Sequence, residues 1–115
     1  MSDSIFTKII NRQIPAKIVY EDEQVIAIDD INPQAPVHVL IIPKLEIENI
    51  VTLGGSVNST LIGKLFDAVN KVAELTGCKE TGFRVVINNG RNAGQEVEHL
   101  HLHLLGGRKM NWPPG

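Results

Sequence analysis

Cysteine is almost missing from this chain: Cys78 stands alone among 115 residues. No disulfide can therefore close within it, no zinc-finger spacing exists, and a reducing, cytoplasmic setting is the simplest reading. A basic excess is absent too. The 11 Lys and Arg against 13 Asp and Glu give a net charge of −2, so nothing steers the whole molecule to nucleic acid. A local anion site would have to be built from neutral donors. Long apolar runs are lacking, and Val39-Leu40-Ile41-Ile42 is far too short to span a membrane. Met1-Ser2-Asp3-Ser4 has neither the basic start nor the apolar core of a signal peptide. Repeats and low-complexity segments are absent as well. What remains, 43% hydrophobic and 21% charged over residues 1–115, describes one soluble globular domain.

Patterning predicts an α+β domain with a five-stranded antiparallel sheet and two helices. Ser4 followed by Ile5, Phe6, Ile9 and Ile10 reads as a capped amphipathic helix ending before Pro15. Lys17–Tyr20 and Gln24–Ile28 read as short strands around Glu21-Asp22-Glu23. Two prolines stiffen Asn32-Pro33-Gln34-Ala35-Pro36, and Val37–Ile42 is a central strand. Residues 54–59 form a loop within the domain. Ser59 or Thr60 caps the main helix, whose Leu61, Ile62, Leu65, Phe66, Val69, Val72 and Ala73 share a face, and Gly77 suits its left-handed end. Phe83–Asn88 is a further strand, and Gly90–Gly94 a tight loop. Without βαβ alternation, a doubly wound parallel sheet is not indicated.

Three of the four histidines fall within five positions, in His99-Leu100-His101-Leu102-His103-Leu104-Leu105. On a strand, successive side chains face opposite ways, so the three imidazoles share one face and the leucines pack on the other. Three readings compete. Zinc could take two of the three; the outer pair, roughly 13 Å apart at ~3.3 Å per residue, cannot share one ion, and no cysteine pair or HExxH supplies the rest. The imidazoles could simply satisfy one another or the backbone. Alternatively, a neutral imidazole could attack phosphorus and form a covalent intermediate. That role needs the second ring nitrogen held, donors for the phosphoryl oxygens and an acid for the leaving group. The loop Asn88-Asn89-Gly90-Arg91-Asn92-Ala93-Gly94-Gln95 offers backbone N–H groups and carboxamides for those oxygens. No Gly-Lys-Ser/Thr follows, so Mg²⁺-dependent NTP chemistry is not indicated.

The histidine segment resembles the His-φ-His-φ-His-φ-φ signature of the histidine-triad superfamily of nucleotide hydrolases and transferases. The likeness to its HINT branch extends over nearly the whole chain. It includes Ile5–Ile10, Ile14–Lys17, Asp30–Pro36, Val37–Lys44, Gly106-Gly107-Arg108 and Trp112-Pro113-Pro114-Gly115. The resemblance implies a homodimer joined edge to edge, no metal or other cofactor, and hydrolysis of nucleoside 5′-phosphoramidates and related purine nucleotides activated at the α-phosphate. Other branches hydrolyse dinucleoside polyphosphates or transfer nucleotidyl groups. By position, His101 is the nucleophile, His103 contacts the α-phosphate and the leaving atom, His38 completes a proton relay, and His99 orients His101 through its carbonyl. Asn88, Gly94, Gln95, Glu96 and His103 match the phosphate contacts. Asp30 matches the ribose carboxylate. Ile5, Phe6, Ile9, Ile28, Ile31 and Leu40 match the base pocket.

Ordinary readings stand beside several of these. His38 could be a satisfied core histidine, Asp30 a turn cap before Asn32-Pro33, and the apolar set plain core. Trp112 is either an anchor on its own subunit or part of a tail reaching the partner's site. Two positions depart from the pattern. Glu96 stands where a serine is common, and its carboxylate is expected to point away from phosphate, leaving its backbone N–H. Glu98 replaces a common aromatic.

Overall fold

The computed structural model describes residues 3–54 and 58–115. Its order is α1 (Ile5–Ile10), β1 (Ile18–Glu21), β2 (Val25–Asp29), β3 (Val37–Pro43), α2 (Ile50–Leu53), α3 (Ser59–Leu75), β4 (Phe83–Val86) and β5 (Leu102–Gly106), with a 3-10 turn at Arg91–Ala93. All five strands pair antiparallel in the order β1-β2-β3-β5-β4. The expected sheet is present; α2, four residues long, is an addition to the two expected helices. Residues 55–57 of the expected 54–59 loop lie outside the described residues.

Alternation along the strands sorts side chains onto two faces. Val25, Ala27, Val39, Ile41, Leu102 and Leu104 pack with Leu65, Ala68, Val69, Val72 and Ala73 of α3 into the larger core. Burying one such aliphatic side chain contributes about 1.5–3 kcal/mol. Ile26, Ile28, Leu40 and Ile42 face the opposite way and meet Phe6 and Ile9 of α1. A six-residue helix cannot cover a five-stranded face. The remainder of that face is where the polar groups stand.

Local chemistry explains most element ends. Ser4 caps α1 by accepting from the Thr7 N–H. The helix stops at Asn11, earlier than Pro15 requires, because Arg12 turns left-handed (φ 61°) and the Gln13 N–H returns to the Lys8 carbonyl. At α3 the cap position is Asn58, one residue before the expected Ser59 or Thr60, and its carboxamide donates to the Leu53 carbonyl. Gly77 does adopt the left-handed conformation (φ 78°). Phe66, expected on the buried face, is 49% exposed; Ala68 packs inward instead.

The histidine segment differs from expectation in one respect. β5 begins at Leu102, so His99, Leu100 and His101 precede the ladder, whose last β3 pair is Ile41 with Leu102. Two places further along β3 stands Pro43, which has no N–H to donate. Other bonds take over: the Leu100 N–H reaches the Ile47 carbonyl at 2.6 Å, and the His99 ring reaches the Pro43 carbonyl at 2.8 Å. The facing nevertheless holds. Leu100, Leu102 and Leu104 enter the larger core, while Phe6 on the other side lies 5.9 Å from His99 and 4.9 Å from His101, ring centre to ring centre.

Candidate active site

Four imidazoles and one carboxylate gather on the thinly covered face. β5 supplies His103, the segment before it His99 and His101, and β3 supplies His38, whose neighbour Leu40 pairs with His103. Rings 101 and 103 lie 5.0 Å apart, and 38 and 103 lie 5.2 Å apart. Asp30 follows β2, its N–H donating to the His38 carbonyl.

Hydrogen bonds fix which nitrogen of each ring carries the proton. A carbonyl oxygen only accepts, so His101 Nδ1, 2.8 Å from the His99 carbonyl, bears its hydrogen. Neutral His101 then has a lone pair on Nε2, and that atom has no hydrogen-bond partner among the described residues. The order is reversed across the site. His38 Nδ1 accepts the Gln34 N–H at 3.0 Å, so its Nε2 is the donor, 2.9 Å from His103 Nδ1. His103 Nδ1 therefore accepts, and its Nε2 carries the hydrogen outward. Side by side stand an imidazole offering a lone pair and one offering a proton.

Burial keeps these rings neutral. It pushes His38 and His101 below the usual histidine value, and His103 down to about 4. Asp30 opposes the shift in all three, most directly at His38, whose Nε2 is 3.4 Å from Oδ2. The other carboxylate oxygen of Asp30 accepts the Asn32 N–H at 2.8 Å, so the turn-cap reading and the placement beside the histidines are both correct. His38 is buried with both ring nitrogens bonded, as the core-histidine reading expects, and one of those bonds joins it to the row.

The loop after β4 is partly closed on itself. Gly94 N–H donates to the Arg91 carbonyl and Gln95 N–H to the Gly90 carbonyl. The Gln95 carboxamide accepts from Gly90 N–H and donates to the Glu48 and Val97 carbonyls. Gln95 thus shapes the loop and has no donor left for a phosphate, contrary to the sequence expectation. Gly94 (φ 79°) supplies the turn. The Asn88 carboxamide and the Glu96 N–H have no partner among the described residues. The Glu96 side chain is exposed and, with Asp3, Glu46, Glu48 and Glu98, lines an open cavity of about 730 Å³ beside His99.

Of the expected base-pocket residues, Phe6, Ile9, Ile28 and Leu40 are buried in the smaller core, whereas Ile5 is half exposed and Ile31 is 99% exposed. Trp112 is 81% exposed, so it is no buried anchor on its own subunit; the Arg84 guanidinium lies 5.9 Å over its ring. Sequence reasoning missed the Gln34 N–H and the Pro43 carbonyl. Both are backbone atoms without a side-chain signal. Among the described residues Asp30, His38 and His103 also form a group able to hold a metal, with one ligand atom from each within 4.8 Å of the others.

Comparison with known proteins finds relatives along nearly the whole chain. The HIT domain model matches residues 11–110. A 14 kDa zinc-binding protein of Zea mays is 50% identical over 99% of this chain and 89% of its own. Adenylylsulfatase HINT1 of Arabidopsis thaliana is 46% identical over 99% of this chain and 78% of its own. The crystal structure of a HIT family hydrolase from Legionella pneumophila superposes with a TM-score of 0.94 at 46% identity, covering 98% of this chain and all of that one. With its sheet, its histidine row and matches spanning nearly its whole length, the chain belongs to the HIT family, on the HINT-like side of it.

Proposed function

We propose that the protein hydrolyses purine nucleoside 5′-phosphoramidates through a covalent nucleotidyl-histidine. The observation carrying this reading is the opposed protonation of two adjacent rings, a lone pair on His101 Nε2 and a hydrogen on His103 Nε2. His101 Nε2 attacks the α-phosphorus, forming an N–P bond while the bond to the leaving amine breaks with its electron pair. The His38–His103 pair takes up one proton from solvent as the anionic α-phosphate docks, and the departing nitrogen takes the His103 Nε2 proton, which returns the pair to its neutral state. The His101 ring gains positive charge as this pair loses a proton, so the net charge of the site is unchanged in the step. Water then attacks phosphorus, returns a proton along the same path, and frees His101. Asn88 and the Glu96 N–H supply neutral donors to the phosphoryl oxygens, Asp30 accepts from ribose hydroxyls, and the apolar residues around Phe6 wall the base.

Rapid quench with an adenosine phosphoramidate, followed by mass spectrometry, tests this. The wild-type chain is expected to carry one adenylyl group on His101, and His101→Ala to bind AMP without labelling. Labelling that persists in His101→Ala overturns the assignment. Turnover of tryptamine adenosine phosphoramidate against diadenosine polyphosphates and adenylyl sulfate separates the phosphoramidase from other activities of the superfamily.

A zinc-binding reading has its own support in the Asp30, His38 and His103 group. Two imidazoles and a carboxylate suit zinc. Zinc held by Asp30, His38 and His103 would compete with protons for the same side chains and so block the relay. Full activity in the presence of a chelator is the result expected of the hydrolase; loss of activity or of fold on metal removal would favour the zinc reading.

A further inference from the structure

We infer that Ser4 is a positioning residue for the nucleophile, its hydroxyl proton fixing the ring of His99 and through it the segment that carries His101. This inference rests on the catalytic reading of His101. Cap position and histidine row are 95 residues apart in sequence, yet Ser4 Oγ lies 3.0 Å from His99 Nδ1. At its other end the His99 ring donates from Nε2 to the Pro43 carbonyl, so its Nδ1 can only accept when the ring is neutral.

Two hydroxyls compete to supply that hydrogen. Thr7 Oγ1 is the more distant at 3.4 Å, and its own proton is directed to the Glu46 carboxylate. The Ser4 hydroxyl accepts the Thr7 N–H as helix cap, and its own proton has two acceptors in reach, Thr7 Oγ1 at 3.2 Å and His99 Nδ1 at 3.0 Å, of which the imidazole nitrogen is the nearer and the more basic. One serine thus does two jobs, closing the first turn of α1 with its lone pair and holding His99 with its hydrogen. The consequence reaches His101 because the ladder is lacking there. His99 lies outside β5, so its ring bonds, together with the Leu100 N–H on Ile47, stand in for strand pairing. The His99 carbonyl, held in this way, is what keeps the hydrogen on His101 Nδ1.

Two substitutions separate the jobs. Ser4→Asp keeps a strong cap acceptor but has no hydroxyl proton at neutral pH, whereas Ser4→Thr keeps both functions. In ¹⁵N-histidine-labelled protein, Ser4→Asp is expected to move the His99 Nδ1 resonance away from its neutral-acceptor position, with Tm near wild type. On the adenosine phosphoramidate it lowers kcat about tenfold, the scale of one lost hydrogen bond, with KM little changed. Ser4→Thr restores both. A Ser4→Asp chain with wild-type His99 resonances and kcat overturns the inference, as does a fall in kcat that tracks only a fall in Tm. The resonance arm does not depend on turnover, so a chain inactive on phosphoramidates would sink the proposed activity while still testing the Ser4–His99 bond.

Discussion

A buried imidazole is a pH-sensitive part of a folded chain. His38, His101 and His103 have folded pKa values below the ordinary 6.5, His103 at about 4, because burial disfavours the cation. Between these values and 6.5 the unfolded chain binds more protons than the folded one. Their contribution to stability is full above about pH 6.5 and is lost as pH falls toward 4. Denaturant midpoints are therefore expected to fall between pH 7 and 5, above the carboxylate range; a flat profile would contradict the assigned burial. Hydrolysis needs His101 neutral, so kcat/KM is expected to decline on the acid side as that ring takes up a proton. A second test concerns Gly106. A Cβ there would lie 2.9 Å from Cys78 Cβ, so Gly106→Ala is expected to cost about 1–3 kcal/mol by thermal melting. Cys78→Ala would relieve it only in part, since it removes the Sγ met at 3.0 Å and leaves the β-carbon. The side-chain types of this site were legible, because three imidazoles at alternate positions have few uses. Their protonation was not, since the groups deciding it are the carbonyls of His99 and Pro43 and the N–H of Gln34.

At the scale of elements, the leucine side of β5 is the most exacting surface. Leu102 and Leu104 have essentially no exposure, and Leu104→Ala is expected to destabilise by about 2–5 kcal/mol in equilibrium unfolding. A cost under 1 kcal/mol would show that the larger core relaxes around the change. Strand periodicity made β1, β2, β3 and the α3 face legible to within a residue or two, because burial on one or both faces dictates residue type there. The misses fell where tertiary context decides. α2 is four residues with no buried member, too short to print a periodicity. Phe66 matches the helical spacing but lies on the rim of the face, where a ring can stay in water. β5 starts late because of its neighbour Pro43, a fact about another strand. Gln95 reads as a phosphate donor by position and proves to be the brace of its own loop.

For the whole molecule, the main expectation is a second copy. β1 and β4 are the outer strands of the sheet, each with one neighbour among the described strands. An unpaired outer strand is a template for further pairing. An edge-to-edge homodimer, with the Trp112 tail reaching the partner's site, is the assembly to test. Sedimentation equilibrium should give twice the chain mass, and Trp112→Ala should change relative turnover among leaving groups without lowering Tm. A monomeric, fully active protein would refute both. No described helix is long and apolar enough to cross a membrane. One strand, finally, ties durability to turnover. β5 sets Leu102 and Leu104 into the interior and His103 into the site from alternate positions of a single backbone. Any repacking that raises heat resistance on the leucine side shifts the imidazole on the other. Variants selected for tolerance to heat should therefore accumulate changes in α3 and leave β5 alone, while new leaving-group preferences should arise in residues 88–96, where the backbone can drift without disturbing the core.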